Sequence, residues 1–417
     1  MIRFSSFLTE DAEGKNLHLE HLEDEIINYG INGARGAVNF LRSLRDMMAG
    51  NSRTSINMTV KWDGAPAIFA GIDPSDGKFF VAKKSVFNKT PLLYKTSREI
   101  DGDIRLPAPL KPKFKLALQE FSKLGIKDVL QGDLMFTTSD LESDVIDGKT
   151  YTTFQPNTIV YAVPKNSALE KKIRAAKIGV VWHTTYKGKT LQTMQASYGA
   201  KISGLNWNKN VWMDDASYRD ESGTATFTKA ETDAITAKLS LVGKQFSKIS
   251  STELNKFLRI QGSLSGKYVG ASVKTYNNSK VRVGAEITNP AEHAKGYLNW
   301  VESKFDAEKD KVKTEKTKQA IEDKKTETLR ELSKLTSLLE NVIIFQNLLV
   351  SAKMMIVSKL NKVKQLTDTF VRTPTGFKVV NPEGYVAIDR VGATAVKLVD
   401  RMEFSYNNFT AIKAWDR

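Results

Sequence analysis

The sequence predicts an α+β protein, a β-rich body of antiparallel sheets with helices, interrupted by a large, partly helical insertion. Three observations carry this expectation. Short β-prone runs recur at close spacing between residues 55 and 185. From about 190 the texture becomes mixed, then heavily charged, then strongly apolar at helical spacing up to about 366. After 369 the β-prone runs return and continue to Asp400. The predicted divisions are an N-terminal helical segment at 1–50, a first β-rich part at 51–189, an inserted mixed and helical domain at 190–368, and closing strands at 369–417.

In chain order, Ala34, Ala37, Val38, Phe40, Leu41, Leu44 and Met47 form one apolar face near the 3.6 period, and Gly50-Asn51-Ser52 ends that helix. His18 and His21, with Glu20 between them, lack a third strong ligand, so ordinary polar or hydrogen-bonded histidines are expected rather than a metal site. Residues 55–90 read as strand, turn, strand, strand. The polar run Ser55 to Thr59 leads into Val60-Lys61-Trp62-Asp63-Gly64, Ala67 to Gly71 is apolar, Asp73 to Lys78 is a turn, and Phe79 to Ala82 is β-prone. An amphipathic helix is expected at 110–124, closed by Gly125, and a strand over 126–136 with Gln131-Gly132-Asp133 inside it. The acidic stretch 139–150 carries no carboxylate at the twelfth position of a calcium loop, where Tyr151 stands, and reads as a solvated loop. Strands are expected at 158–163 and 178–183, with a basic-faced helix between them at 165–177.

The insertion carries aromatics that read as exposed: Trp207, Trp212, Tyr218, Tyr268 and Tyr276. Residues 301–335 show Glu/Lys pairs at helical spacing, and 335–366 an apolar face from Leu335 to Val363; a long helical hairpin or bundle is expected. Met354 and Met355 read as core packing. The most apolar stretch, Val342 to Val357, is broken by Gln346, Asn347, Ser351 and Lys353 and reads as too short and too polar to span a bilayer. No membrane partner is therefore expected. Two strands then flank a Thr-Pro-Thr-Gly turn near 373–376, followed by Glu383-Gly384-Tyr385-Val386 and a last strand containing Lys397.

Composition narrows the function classes. The 417 residues contain no cysteine and four histidines, which excludes a disulfide scaffold, a thiolate zinc site and a cysteine nucleophile. Lys and Arg number 62 against 47 Asp and Glu, a net charge of +15 that favours a polyanionic partner through counterion release. No signal segment is visible at the N-terminus, and a cytoplasmic location is expected.

Placed side by side without 190–370, the β-rich pieces give Lys61-x-Asp63-Gly64, a basic strand end at Lys84-Ser85, Gly132-Asp133, the strand containing Tyr161, Glu383-Gly384-Tyr385-Val386, and Lys397. That ordered series resembles the covalent nucleotidyltransferase superfamily of ATP-dependent DNA ligases, RNA ligases and mRNA capping enzymes. The resemblance covers about 55–185 and 370–400. It implies a ligase adenylation fold and a lysyl-AMP intermediate on Lys61, with ATP as nucleotide and Mg²⁺ or Mn²⁺ as cation. It implies that Glu383 and Asp133 hold the metal, that Lys397 neutralises the α-phosphate, and that Tyr161 stacks on the adenine. Lys84 and Ser85 would approach ribose or phosphate, Asp63 and Gly64 would lie at the nucleotide, and Gly64 would let the backbone pass close to it. Elementary chemistry fits: a lysine nucleophile needs an unprotonated amine, which burial and a neighbouring cation favour.

The sequence departs from the family at two points. Asp133 stands where glutamate is usual, and Lys397 lacks a second lysine two positions away, so Arg390 or Arg401 is the expected extra cation. Seventeen residues after Asp400 are too few for the OB-fold that DNA ligases and capping enzymes carry there. The closest resemblance is therefore to polynucleotide ligases of RNA-ligase type that seal 5′-phosphate and 3′-hydroxyl ends, as in RNA repair. The stretches Lys-Ser-Val-Phe-Asn-Lys and Gln-Gly-Asp-Leu-Met-Phe resemble proteins of large tailed bacteriophages, which implies the host cytoplasm. RNA is the expected strand, with DNA open. Two other readings stand beside this one: a DNA ligase or nick sealer, and a non-catalytic phage nucleic-acid-binding or virion-associated protein on the same scaffold. Each site residue also has a plainer reading: Lys61 as a surface lysine before an Asp-Gly turn, Glu383-Gly384 as a simple turn, and Tyr161 as core.

Overall fold

The computed structural model describes residues 21–50, 56–216, 226–264, 270–362, 367–373, 376–380, 384–389 and 394–402. The chain starts with a 3-10 turn, Leu22–Asp24, and helix α1, Glu25–Met48. Strands β1 (Ile56–Lys61), β2 (Ala67–Ile72) and β3 (Phe79–Ala82) follow, then a 3-10 turn at Lys84–Phe87. Helices α2 (Ser97–Gly102) and α3 (Leu110–Phe121) lead to β4 (Val129–Thr137), β5 (Glu142–Ile146), β6 (Lys149–Phe154) and β7 (Val160–Pro164). Helix α4 (Ala168–Ala175) precedes β8 (Ile178–Lys187), β9 (Gln195–Tyr198) and β10 (Val211–Asp214). The helical part holds α5 (Lys229–Phe246), α6 (Ser251–Leu264), α7 (Val273–Arg282), α8 (Pro290–Lys309), α9 (Glu315–Ser333) and α10 (Thr336–Leu360). Strands β11 (Asp368–Thr373), β12 (Gly376–Val379), β13 (Gly384–Asp389) and β14 (Thr394–Leu398) close the described chain.

These elements make three sheets and one helical body. A six-stranded sheet runs β10-β8-β4-β2-β3, with β9 also paired to β8. One face of it (Ile68, Ala70, Leu130, Leu134, Trp182) packs on Phe114, Ala117 and Phe121 of α3. The other face is covered in two patches. Phe69, Val129 and Tyr186 pack with Val86 and Phe87, while Met135 and Val181 pack with Trp62, Tyr161 and Val163. Gln131 and Asp133 alternate with the buried face of β4 and so fall between those patches. A five-stranded sheet runs β12-β11-β7-β6-β5, and Arg372 of β11 reaches Glu142 and Asp144 of β5, so the sheet is strongly curled.

The third sheet, β1-β13-β14, links the β part to the helical body. Val60, Tyr385 and Leu398 are consecutive cross-strand partners, and Tyr385, Ala387 and Leu398 are buried in the helical core. Alternation then puts Lys61, Gly384, Val386 and Lys397 on the opposite face. The helical body is centred on α10, which packs on α1, α5 and α8. By length and composition α10 is apolar enough to cross a membrane, with mean hydropathy 1.5. Half of that window is buried inside the protein, and Lys353 within the helix is buried against Glu23. Met354 and Met355 pack against the helical core, as expected for gap-filling side chains.

Several expectations are revised. The acidic stretch 139–150 is the β5–β6 hairpin, not a loop. Asp147 and Gly148 take positive φ of 49° and 75°, the conformation that lets a two-residue turn follow the strand twist. The sheet fold extends past 189, because β9 and β10 both pair with β8. The N-terminal helix α1 is not separate; Ala34, Ala37, Phe40, Leu41 and Leu44 lie in the same core as the helices from 229 to 360. Trp212 and Tyr276, expected exposed, are buried, each only 6% exposed, Trp212 against Trp62 and Phe136, Tyr276 against His293 and Tyr297. Tyr218, Tyr268, His18 and Glu20 lie outside the described residues.

Candidate active site around Lys61

Lys61 ends β1, directly opposite Gly384 of β13. The next strand, β14, places Lys397 opposite Val386. Two lysines more than 300 positions apart therefore share one face of a three-stranded sheet, with β13 between them and a two-residue offset along it, about 12 Å apart between Cα atoms. Gly384 has φ 141°, and a Cβ there would stand 2.6 Å from Val399 Cγ2 and 2.7 Å from the Leu398 carbonyl, so only glycine fits this crossing. Glu383, immediately before it, and Arg390 lie outside the described residues.

The turn after Lys61 is held from inside. Asp63 is 5% exposed. Its Oδ1 accepts from Asn157 Nδ2 at 2.7 Å, and its Oδ2 accepts from the backbone N–H of Thr158 at 2.7 Å and of Ile159 at 2.9 Å. Its own N–H donates to the Tyr161 hydroxyl at 2.6 Å. The Asp63 carboxylate thus fastens the 157–159 loop to the turn; that geometry gives it a structural role in place of the expected nucleotide contact. Tyr161 is corrected in the same way. Its ring is buried, with centroids 5.0 Å from Trp62 and 5.5 Å from Phe154, and its hydroxyl is spent on Asp63, so it is core and not a stacking platform for a base. Gly64 is needed for a different reason from the expected one: a Cβ there would lie 2.3 Å from Asp133 Cβ, so the close neighbour is β4.

That contact brings Asp133 beside the Lys61 turn. On the next strand, His183 stands with Nε2 3.8 Å from Asp133 Oδ2 and with Nδ1 2.8 Å from Thr184 Oγ1. Sequence reasoning missed His183. It occupies a β-bulge: Gln131 pairs Thr184 while Gly132 pairs Trp182, leaving residue 183 extra and re-aimed. The available signal was the interruption of the apolar run 178–182 by a histidine opposite Gln131-Gly132-Asp133. Burial first and the Lys61 charge second push the His183 pKa down to about 4. Lys84 and Ser85 follow β3, two strands from β4 in the sheet. Ser85 Oγ is buried and makes no hydrogen bond among the described residues. Among the described residues Arg401, one of the two expected extra cations, is engaged with Asp24 at 3.1 Å and with Asn278.

No group of three or more His, Asp or Glu side chains among the described residues is placed to hold a metal. A magnesium ion that brings phosphate oxygens needs only one or two carboxylates, and Asp133, with 21% of its side chain exposed beside Lys61 and His183, fits that smaller demand.

The same site carries a pH prediction. His183 and His293 both have folded-state pKa values near 4 instead of 6.5, from burial first and then from Lys61 and Lys280 respectively. Because the folded values lie below the unfolded ones, acid protonates the unfolded chain first. Stability present above pH 6.5 is lost as pH falls toward 4, by up to about 3 kcal/mol per histidine and less for the part-exposed His183. Urea melts at pH 7 and 4.5 measure this, and His293→Gln should flatten the slope; an unchanged slope contradicts the assignment.

Fold and site together define a mixed α+β protein in which a lysine-bearing sheet is framed by a helical body. The chain belongs to a family of unknown function (DUF6267), whose model matches residues 16–413. No curated protein and no solved structure matches it.

Proposed function

We propose that this protein is an ATP-dependent polynucleotide ligase of RNA-ligase type. The observation that carries the reading is the convergence of Lys61 and Lys397 on one sheet face, with Asp133 and His183 next to the Lys61 turn. Nothing in a simple Asp-Gly turn calls for a second lysine from a strand more than 300 residues away.

In this reading Lys61 Nζ, as the free amine, attacks the α-phosphorus of ATP. The N–P bond forms, the bond from that phosphorus to the bridging oxygen breaks, and pyrophosphate leaves with the electron pair. Lys397 offsets the charge on the α-phosphate oxygens. Asp133, and Glu383 by the family resemblance, would hold Mg²⁺, which neutralises phosphate charge when bound. AMP then passes to a 5′-phosphate end, freeing Lys61, and a 3′-hydroxyl displaces AMP as the phosphodiester forms. The test is incubation with α-labelled ATP or GTP and Mg²⁺, after stripping bound nucleotide, with covalent label read on a denaturing gel.

The strand partner is supported by charge and by one exposed ring. Trp207 is 60% exposed on a pinned loop. The Asn206 N–H donates to the Leu124 carbonyl at 2.9 Å, and the Lys177 N–H to the Asn210 carbonyl at 2.8 Å. Lys201 and Lys209 are exposed beside it, and the nearby Glu120 carboxylate is buried and taken up by Lys123 and Asn210. A rigid aromatic among cations is the arrangement that stacks unpaired bases. Trp207→Ala should weaken binding of a labelled single-stranded RNA 20-mer by about 5- to 100-fold, read by anisotropy. Equal binding would remove Trp207 from the strand path.

A further inference from the structure

Lys397 stands where three parts of the chain meet. His21 forms a parallel backbone bridge with Lys397. The 3-10 turn that follows places Glu23 and Asp24 in the interior, 4% and 1% exposed. Four residues past Lys397, Arg401 turns back into the same space. One guanidinium nitrogen donates to Asp24 Oδ1 at 3.1 Å and lies 3.9 Å from Glu23 Oε1; the other donates to Asn278 on α7. Glu23 Oε2 receives Lys353 Nζ from α10 at 2.8 Å, and Gln346 Nε2 donates to the Glu23 carbonyl at 2.9 Å. Burial works against the Glu23 charge, yet Lys353, His21 and Arg401 hold its pKa down to about 2.

Such a cluster is a poor source of net stability. Desolvation cancels most of the attraction between buried charges. Here His21 Nδ1, Glu23 Oε1, Asp24 Oδ2 and Asn28 Nδ2 also make no hydrogen bond among the described residues. What a buried ionic cluster does supply is a single permitted arrangement, because sliding one member strands its partners in a low-dielectric interior. For β14 the arrangement matters greatly. A slip of one residue against β13 would carry Lys397 from the Lys61 face to the face covered by helices, where Leu398 now packs.

We propose that Arg401 is a positioning residue for Lys397: docked on Asp24, Glu23 and Asn278, it locks β14 in register so that Lys397 faces the Lys61 side. This rests on the lysyl-nucleotide chemistry proposed above. It assigns the helical body a part in the reaction, since α7, α10 and the turn before α1 together supply the socket for Arg401. The role is distinct from phosphate binding, because among the described residues the polar partners of Arg401 are Asp24, Glu23 and Asn278.

The test compares Arg401→Met, Arg401→Lys and the parent chain in single-turnover lysyl-AMP formation over a range of ATP concentrations, with thermal melts alongside. The expected result is a folded Arg401→Met protein whose rate at saturating ATP drops by about a hundredfold, with little change in the ATP concentration for half-maximal rate. Arg401→Lys, which keeps a cation within reach of Asp24, recovers part of the rate. If Arg401→Met fails to fold, Arg401→Met/Asp24→Asn removes both charges and takes its place, with the same slow rate expected. A folded variant that adenylates at the parent rate overturns the positioning role alone. A parent chain that takes up no nucleotide overturns the ligase reading, and this role with it.

Discussion

On the proposed ligase reading, Lys61→Ala protein incubated with α-labelled ATP and Mg²⁺ is expected to carry no label after denaturation, whereas the parent chain should take up one AMP. The effect is all-or-none because the bond is made to Nζ itself. Lys61→Arg should fail equally, since a guanidinium does not give up its proton in this range and cannot act as the nucleophile. Lys397→Ala should behave differently. It leaves the nucleophile in place and removes charge stabilisation at the α-phosphate, so label accumulates slowly, by a factor of about 100 to 1,000. Lys61 is half-buried at the end of an edge strand, and a thermal melt of each variant separates lost chemistry from lost folding. Label retained on Lys61→Ala would mean another nucleophile. A parent chain unlabelled by both ATP and GTP would favour a nucleic-acid-binding scaffold that does no ligation.

The sequence reveals local order well and long-range placement poorly, for physical reasons that particular residues make clear. The strand, turn and strand around Lys61, the hairpin formed by β11 and β12, and the apolar face of α1 are set by alternation, turn chemistry and the helical period, all written within a few residues. His183 was invisible because a bulge is a property of two strands in register, and neither strand alone shows it. Tyr161 was misassigned because a strand tyrosine that stacks on a base and one that packs in a core have the same local signature. Its burial is decided by Trp62 and Phe154, and its hydroxyl by Asp63, 98 residues away. The polar breaks in α10 show the same limit. Gln346 and Lys353 read as interruptions of an apolar stretch; in the fold they are what holds Glu23, more than 320 residues earlier in the chain. A charged residue in an apolar helix is a clue to a buried partner, but the partner's identity lies outside the window.

Asp63→Ala is expected to unfold the turn as well as silence the site, and this separates a structural carboxylate from a nucleotide ligand. Truncation leaves the backbone N–H groups of Thr158 and Ile159 and the Asn157 amide without their acceptor, in a region where Asp63 is 5% exposed. A buried donor left unsatisfied costs about 1–3 kcal/mol, so the summed loss over the three donors should reach about 3–9 kcal/mol, a large share of a typical domain's 5–15 kcal/mol. Asp63→Asn keeps the shape and one acceptor oxygen and should lose about half as much. A residue whose work is to touch ATP would behave in the opposite way, with an unchanged melt and a raised ATP requirement. Urea unfolding of the three proteins decides between the two. If Asp63→Ala melts with the parent chain, the 157–159 anchor is not what the carboxylate is for. If it melts early, Lys61 owes its position to a bond network that never contacts substrate, and the Asp of Lys-x-Asp-Gly acts here by holding the turn that aims the lysine.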